Sequence, residues 1–420
     1  MDKYVIKGQK KLSGEVQISG SKNASLPIMS ASLLTADEVI LHNVPDLMDI
    51  RTMRQLLEIL GKKVEMEHNT VRILEVDPSP FEAPYDVVRK MRASIAVMGP
   101  LLARRGKAKV SFPGGCAIGP RPIDLHIRGM KALGTDLVIE HGYIWAQAKE
   151  LVGKRINLIG NNGPSVLATE NVMMAATMAN GITIIEGAAC EPEVEDLAHF
   201  LQAMGAKIKG EGTTTIEIEG VRKLHGAEYS VIPDRIETGS FIAAAGITGG
   251  EIKLKGVNAS HLGVTIEVFS KAGVEIEILS NNSIIARGRT IHSIEVETRP
   301  YPFFPTDLQA QLMALVSLGD GISIISEKIF PDRFMHAFEL CRMGADIKVD
   351  GASAVIKGVK SLSGASVMTS DLRAGAGLVI GALAAHGTSE ILRIYHIDRG
   401  YEKLEEKLRT LGAEIERIPQ

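Results

Sequence analysis

Cys116 lies in the run Phe112-Pro-Gly-Gly-Cys-Ala-Ile-Gly-Pro-Arg-Pro122, five residues before Arg121. From Pro113 to Pro122, six of ten residues are Gly or Pro, which excludes helix and strand and leaves a loop. A thiol beside a cation in an exposed loop is more acidic than the free side chain, whose pKa is about 8.5. Such a thiol can give or take a proton near neutral pH. A surface loop with an incidental cysteine fits the same composition. A second set of residues recurs at intervals of roughly 70: Lys22, Arg92, Ser165, Arg235, Asp307, and Asp371 with Arg373. Each stands at the start of an apolar helix. Free N–H groups and the positive end of the dipole suit anions there. Ordinary capping accounts for Ser and Asp, but not for Lys22, Arg92, Arg235 or Arg373.

The elements that position these residues form a repeat. Leu57-Glu-Ile-Leu-Gly61, Met130-Lys-Ala-Leu-Gly134, Leu201-Gln-Ala-Met-Gly205, Phe269-Ser-Lys-Ala-Gly273, Leu340-Cys-Arg-Met-Gly344 and Leu408-Arg-Thr-Leu-Gly412 share one pattern. Their glycines are 73, 71, 68, 71 and 68 residues apart. Each reads as a helix ended by a left-handed glycine and followed by a strand. Val274-Glu-Ile-Glu-Ile shows the alternation of a half-buried strand. Each repeat holds a second helix: 23–34, 91–103, 165–178, 236–246, 307–318 and 371–385. These are rich in Ala, Met, Ile and Leu on every face, so protein must wrap them. Six of them imply two cores, each with three buried helices behind sheets. The cut between the third and fourth repeats falls near Val231, and the first strand, 4–12, is assigned to the second half.

A chain of 420 residues that is 45% hydrophobic can bury large cores. A net charge of -3 argues against nucleic acid held by bulk charge, and 4% aromatics against stacking platforms. Cys116, Cys190 and Cys341 form no disulfide framework, which fits a reducing cytoplasm. No signal-peptide core opens the chain, and no apolar run reaches the roughly 18 residues needed to span a bilayer. A soluble protein without a membrane partner is expected.

The words Gly20-Ser-Lys-Asn-Ala24, Met91-Arg-Ala-Ser94, Asp124-Leu-His126, Pro305-Thr-Asp307, Arg333-Phe-Met-His336, Thr369-Ser-Asp-Leu-Arg373 and Asp398-Arg-Gly400 join the cysteine loop. Together they make the whole chain resemble the enolpyruvyl transferase family. The resemblance implies an α/β fold: a two-domain inside-out α/β barrel of six βαβαββ modules, three per domain. That agrees with the repeats. It implies a first domain at 22–230 with a lid loop at 112–122, a second at 1–21 plus 231–420, and an active site in the cleft between them. The implied reaction transfers the enolpyruvyl group of phosphoenolpyruvate to the 3′-hydroxyl of UDP-N-acetylglucosamine. Phosphate leaves by addition and elimination, as the committed step of peptidoglycan synthesis. No cofactor and no metal are expected.

The resemblance also implies roles. Lys22, Arg121 and Arg399 would grip phosphoenolpyruvate, with Arg333 and Arg373 close by, since guanidinium forks suit carboxylate and phosphate. Asn23 would hydrogen-bond the tetrahedral intermediate. Cys116 would protonate C3 and would be the thiol that epoxide antibiotics of the fosfomycin type alkylate. Asp307 would be the base near the sugar hydroxyl. Arg121, Pro122, Ile123, Asp124 and Leu125 would hold the uridine segment, and Ser165, Val166 and Leu167 the diphosphate, with Arg92 and Ile329 nearby. Four places depart from the usual pattern: Leu167 for Gly, Gly163 for a Lys of some members, Phe303 for Gly, and Pro331-Asp332 for Glu-Asn. His126 is expected to pack or hydrogen-bond locally, and Cys341 to be buried in a helix. Three other readings are transfer to shikimate 3-phosphate, a fold that binds without catalysis, and a thiol hydrolase. The last would need a partner His that the loop does not show.

Overall fold

The computed structural model describes residues 2–113, 122–280 and 282–419. Among them the chain forms two compact units: an N-terminal unit of 20–113 with 122–232, and a C-terminal unit of 2–19 with 233–280 and 282–419. Each has its own hydrophobic core.

The interior of the N-terminal unit is built on the helices Lys22–Ala31, Met98–Arg105 and Val166–Ala176. The second is entered through a 3-10 stretch, Arg92–Val97. The C-terminal unit uses Arg235–Thr248, Gln309–Val316 and Leu372–Ala384 in the same way. These are the helices that the sequence shows as apolar on every face, with their few charges mostly near the ends. Where they touch, small residues bring backbones together: a Cβ on Gly377 would lie 2.8 Å from the Ala310 carbonyl oxygen.

Outside the helices stand six four-stranded sheets, three per unit, with one strand order throughout. In Glu82–Ala83, Lys107–Ser111, Tyr143–Gln147 and Asp136–Glu140 the first pair is parallel and the other two are antiparallel. Strand residues alternate between core and solvent, as in Thr215–Glu219. Six amphipathic helices each lead into the last strand of that order, as Asp124–Ala132 does into Asp136–Glu140. Each ends two residues before its glycine, and Gly61, Gly134, Gly205, Gly273, Gly344 and Gly412 take φ of 84, 95, 99, 97, 92 and 94°. A side chain would be strained there.

Three modules are not contiguous in sequence, unlike the repeats expected above. The edge strand of the first is Glu228–Ser230, parallel to Val39–His42. The edge strand of the fourth is Ser13–Gln17, parallel to Glu251–Lys255. Among the described residues the chain thus passes between the units at Ser19/Gly20 and at Ile232/Pro233. Within the units, Ser21 N donates to Ile232 O at 2.7 Å and Asp234 N to Ser19 O at 2.9 Å. The sixth module takes its remaining strand from the N-terminus. That strand is Asp2–Lys7, not 4–12, and lies between Thr388–Leu392 and Glu414–Pro419. It stops because Gly8 packs against the end of the helix at Ala382 and Ala385, and Gln9 turns with φ 70°.

Candidate active site

In the C-terminal unit the sequence folds two distant arginines onto one carboxylate. Asp307 stands in a 3-10 turn, Thr306–Leu308, ahead of an interior helix. Its Oδ1 accepts from Arg333 Nη1 at 2.9 Å, and its Oδ2 from Arg373 Nη2 at 2.9 Å. Arg333 Nη1 also reaches Thr306 Oγ1 at 3.0 Å, and its Nη2 lies 3.8 Å from Asp371. Asp371 caps the helix Leu372–Ala384, accepting from the backbone N–H groups of Arg373 and Ala374. Both guanidiniums are buried. Burial is the largest influence and opposes the charge on each, but Asp307 together with Asp371 at Arg333, and with Tyr401 and Asp234 at Arg373, carries both pKa values above the ordinary one. Among the described residues, Arg373 Nε and Nη1 find no hydrogen-bond acceptor although the residue is only 2% exposed.

The surroundings hold this group in place. Buried Glu327 accepts from Thr306 Oγ1 at 2.8 Å, and from the N–H groups of Ile329 and Phe330 at 3.0 and 3.1 Å. Ile329 is thereby fixed beside the turn that carries Asp307. Arg399 ends the 3-10 helix Ile394–Arg399. It is close enough to His396 to lower that imidazole's pKa, after burial. Asp398 next to it makes a two-pronged pair with Arg417 at 2.9 and 2.8 Å, which anchors the segment to the last strand. His336 is buried near Asp371 and Arg333, and burial lowers its pKa to about 4.

The N-terminal unit holds the other expected residues at helix starts. Ser21 caps the helix that begins at Lys22 and Asn23, and Lys22 Nζ lies 3.4 Å from the buried carboxylate of Asp49. Arg92 Nη2 donates to the Pro122 carbonyl at 3.2 Å. Ile123, Asp124 and Leu125 open the helix Asp124–Ala132. Leu125 packs near Gly160 in a hairpin of Ile159–Gly160 with Gly163–Pro164. Gly163 has φ 94°, which a lysine would adopt only under strain. Ser165 caps the helix Val166–Ala176, with Val166 and Leu167 in its first turn and half-buried. His126 is structural: its Nδ1 accepts from Asn171 Nδ2 at 3.0 Å, and burial, then Arg92, lowers its pKa to about 3.

Asp307, Arg333 and Arg373 thus form one cluster, with Arg399 joined through its neighbours. Lys22 stands with Asp49, and Arg92 with Pro122. Cys116, Arg121 and most of the expected lid loop lie outside the described residues. Cys341 is exposed, not buried: its helix, Met335–Arg342, turns that face to solvent. Asp49, Glu327, Gln311 and Tyr401 escaped the reading of the sequence. Only Asp49 carried a signal, an acid on the apolar face of an amphipathic helix. Among the described residues, no group of three or more His, Cys, Asp or Glu could hold a metal, and no helix is long and apolar enough to cross a membrane.

The enclosed helices and repeated sheets recur in known structures. The enolpyruvyl transferase NikO from Streptomyces tendae superposes with a TM-score of 0.88 at 23% identity, over 100% of this chain and 99% of that one. EPSP synthase from Acinetobacter baumannii does so with a TM-score of 0.77 at 19% identity, over the whole of both chains. The family model described as EPSP synthase (3-phosphoshikimate 1-carboxyvinyltransferase) matches residues 6–408. The chain belongs to the enolpyruvyl, or 1-carboxyvinyl, transferase family. Within it, the chain is 53% identical to the UDP-N-acetylglucosamine 1-carboxyvinyltransferase of Methylacidiphilum infernorum, over 100% of this chain and 99% of that protein. It is 53% identical to the protein of that name from Geotalea uraniireducens over the whole of both. It is 52% identical to one from Caldanaerobacter subterraneus over 99% of each.

Proposed function

We propose that this chain transfers the enolpyruvyl group of phosphoenolpyruvate to the 3′-hydroxyl of UDP-N-acetylglucosamine and releases phosphate. The observation that carries this reading is the identity of 52–53% over essentially the full length to relatives named for that acceptor. The EPSP synthase structure shares the fold at only 19% identity, which weighs against shikimate 3-phosphate.

The chemistry asks for cations around a small, doubly anionic substrate and for proton carriers on either side of it. The buried Arg333 and Arg373, with Nε and Nη1 of Arg373 unbonded among the described residues, supply donors suited to carboxylate or phosphate. Lys22, Arg121 and Arg399 add charge in the same role, and preorganised charge is worth most where water is excluded. In the addition step the sugar oxygen bonds to C2 and its proton passes to Asp307. Cys116 delivers a proton to C3. Asn23 hydrogen-bonds the tetrahedral adduct. In the elimination C3 loses a proton and the C2–O bond to phosphorus breaks, so phosphate leaves with the bonding pair. Pro122, Ile123, Asp124 and Leu125 hold the uridine, Ser165, Val166 and Leu167 the diphosphate, and Arg92 and Ile329 complete that contact. The product feeds peptidoglycan synthesis in the cytoplasm, and Cys116 makes the enzyme a fosfomycin target.

The test is phosphate release from phosphoenolpyruvate with each acceptor in turn, with the product weighed by mass spectrometry. Release with UDP-N-acetylglucosamine alone is expected. Release with shikimate 3-phosphate alone, or with neither, overturns the proposal.

A further inference from the structure

Beneath the Asp307 cluster two of the three interior helices of the C-terminal unit are tied to the segment at Tyr401 by uncharged polar groups. Tyr401, Ser240 and Gln311 are all buried, and they come from separate segments. Ser240 Oγ donates its one proton to the Ile236 carbonyl at 2.8 Å. The Tyr401 hydroxyl, 2.8 Å from Ser240 Oγ, must therefore be the donor of that pair. It then accepts from Gln311 Nε2 at 3.0 Å. The same Nε2 donates to the backbone carbonyl of Asp307 at 3.0 Å and reaches Ser240 Oγ at 3.2 Å. The Arg373 guanidinium carbon lies 5.4 Å from the centre of the Tyr401 ring, within range of a cation–π contact.

Apart from Glu237, Thr238, Gln309 and Arg373 near their starts, the other buried positions of these helices hold mostly Ala, Gly, Ile, Leu, Val, Met or Phe, and an apolar filling here would avoid the desolvation of three polar side chains. Packing alone does not fix the ring. A small apolar cavity bounded by Ser240, Val379, Ile380 and Leu404 adjoins Tyr401. Hydrogen bonds hold the ring away from that space. We propose that Tyr401, fastened by Ser240 and Gln311, is a positioning residue that sets the Arg373 guanidinium against Asp307 for the transfer reaction. Gln311 couples the two partners, since one amide group holds both the Tyr401 hydroxyl and the Asp307 backbone. This inference rests on the function proposed above.

The test uses the full chain and four proteins: wild type, Tyr401→Phe, Gln311→Leu and the double variant. Phosphate release and phosphoenolpyruvate KM are measured, with circular dichroism to verify folding. A displacement well below 1 Å at a charged cluster is expected to lower kcat roughly tenfold in Tyr401→Phe. The KM for UDP-N-acetylglucosamine stays within about twofold. Gln311→Leu gives a similar loss, and the double variant loses no more than the worse single one, because both act through one link. Folded Tyr401→Phe with wild-type kcat refutes the inference. Losses that multiply in the double variant refute it as well, because independent structural defects behave that way. If Tyr401→Phe does not fold, Ser240→Ala cuts the same hydroxyl link, and wild-type kcat in it refutes the inference. Wild-type protein that releases no phosphate refutes the proposed function instead, so the two failures are distinguishable.

Discussion

Replacing Asp307 with Asn keeps the shape of the side chain and removes one negative charge from between two buried guanidiniums. Arg333 keeps Thr306 Oγ1 at 3.0 Å and Asp371 at 3.8 Å, whereas Arg373 depends on the lost carboxylate at 2.9 Å. The amide therefore settles with its oxygen toward Arg373 and its NH2 toward Arg333. One charge-assisted hydrogen bond is lost, about 1.5–3 kcal/mol. The midpoint of thermal unfolding should fall by several degrees, on the order of 2–4 °C per kcal/mol for a unit of this size. The effect on turnover is larger. A positioned base contributes roughly 10²–10⁴ in rate, and an amide cannot take a proton. We expect kcat at 25 °C to fall by at least about a hundredfold in protein that is folded at that temperature. A folded Asp307→Asn enzyme within tenfold of wild-type kcat would show that Asp307 is not the proton acceptor. An unchanged unfolding midpoint would show that its pairing with Arg373 contributes little to the fold.

Cys116→Ala should abolish turnover at neutral pH while equilibrium binding of UDP-N-acetylglucosamine, read by calorimetry, persists; undiminished turnover removes the thiol from the proton path. Glu75 faces Arg104 at 2.6 Å, Lys62 at 3.4 Å and Arg105 at 3.7 Å, all well shielded from solvent. Glu75→Gln leaves those cations without a counter-charge and should cost about 3–5 kcal/mol in urea unfolding, and a loss below 1 kcal/mol counts against it. His126 and His336 have pKa values lowered to about 3 and about 4, chiefly by burial, against about 6.5 unfolded. The unfolded chain binds more protons below pH 6.5, so their contribution is complete above that value and is lost as pH falls toward 4. The unfolding midpoint should drop between pH 7 and pH 5, and less so in His126→Gln; equal slopes contradict the assignment.

Elements with a local signature were legible in the sequence. The six glycines announced themselves through helix periodicity before them and alternation after them, and all six take positive φ. The six interior helices were visible because a helix apolar on every side has no face for water. Strand exchange was not visible. Glu228–Ser230 and Ser13–Gln17 are short edge strands, and nothing in three or five residues states which distant neighbour they join. Pairing across such distances is decided by where the chain passes between units, a property of the whole fold.

The residues proposed to do chemistry and the residues that hold them differ in the same way. Asp307 and Arg373 stand out because a charge at the start of an apolar helix needs a reason, and Arg333 because its motif resembles the family's. Tyr401, Gln311 and Glu327 look like ordinary members of their segments until the fold buries them. Only then does each polar atom demand a partner. The repeated module therefore has two polar solutions at the heads of its interior helices. In the N-terminal unit Asn171 joins Gly99 N at 2.6 Å, Ile95 O at 3.0 Å and the neutral His126 at 3.0 Å, a wholly uncharged tie. In the C-terminal unit the uncharged tie of Ser240, Gln311 and Tyr401 lies beneath an ionised layer of Asp307, Arg333 and Arg373. Two like units could share a core and still diverge in chemistry because the ionised layer sits on the tie and does not replace it. Buried charge is tolerated there because neutral hydrogen bonds already fix the backbone on which it stands.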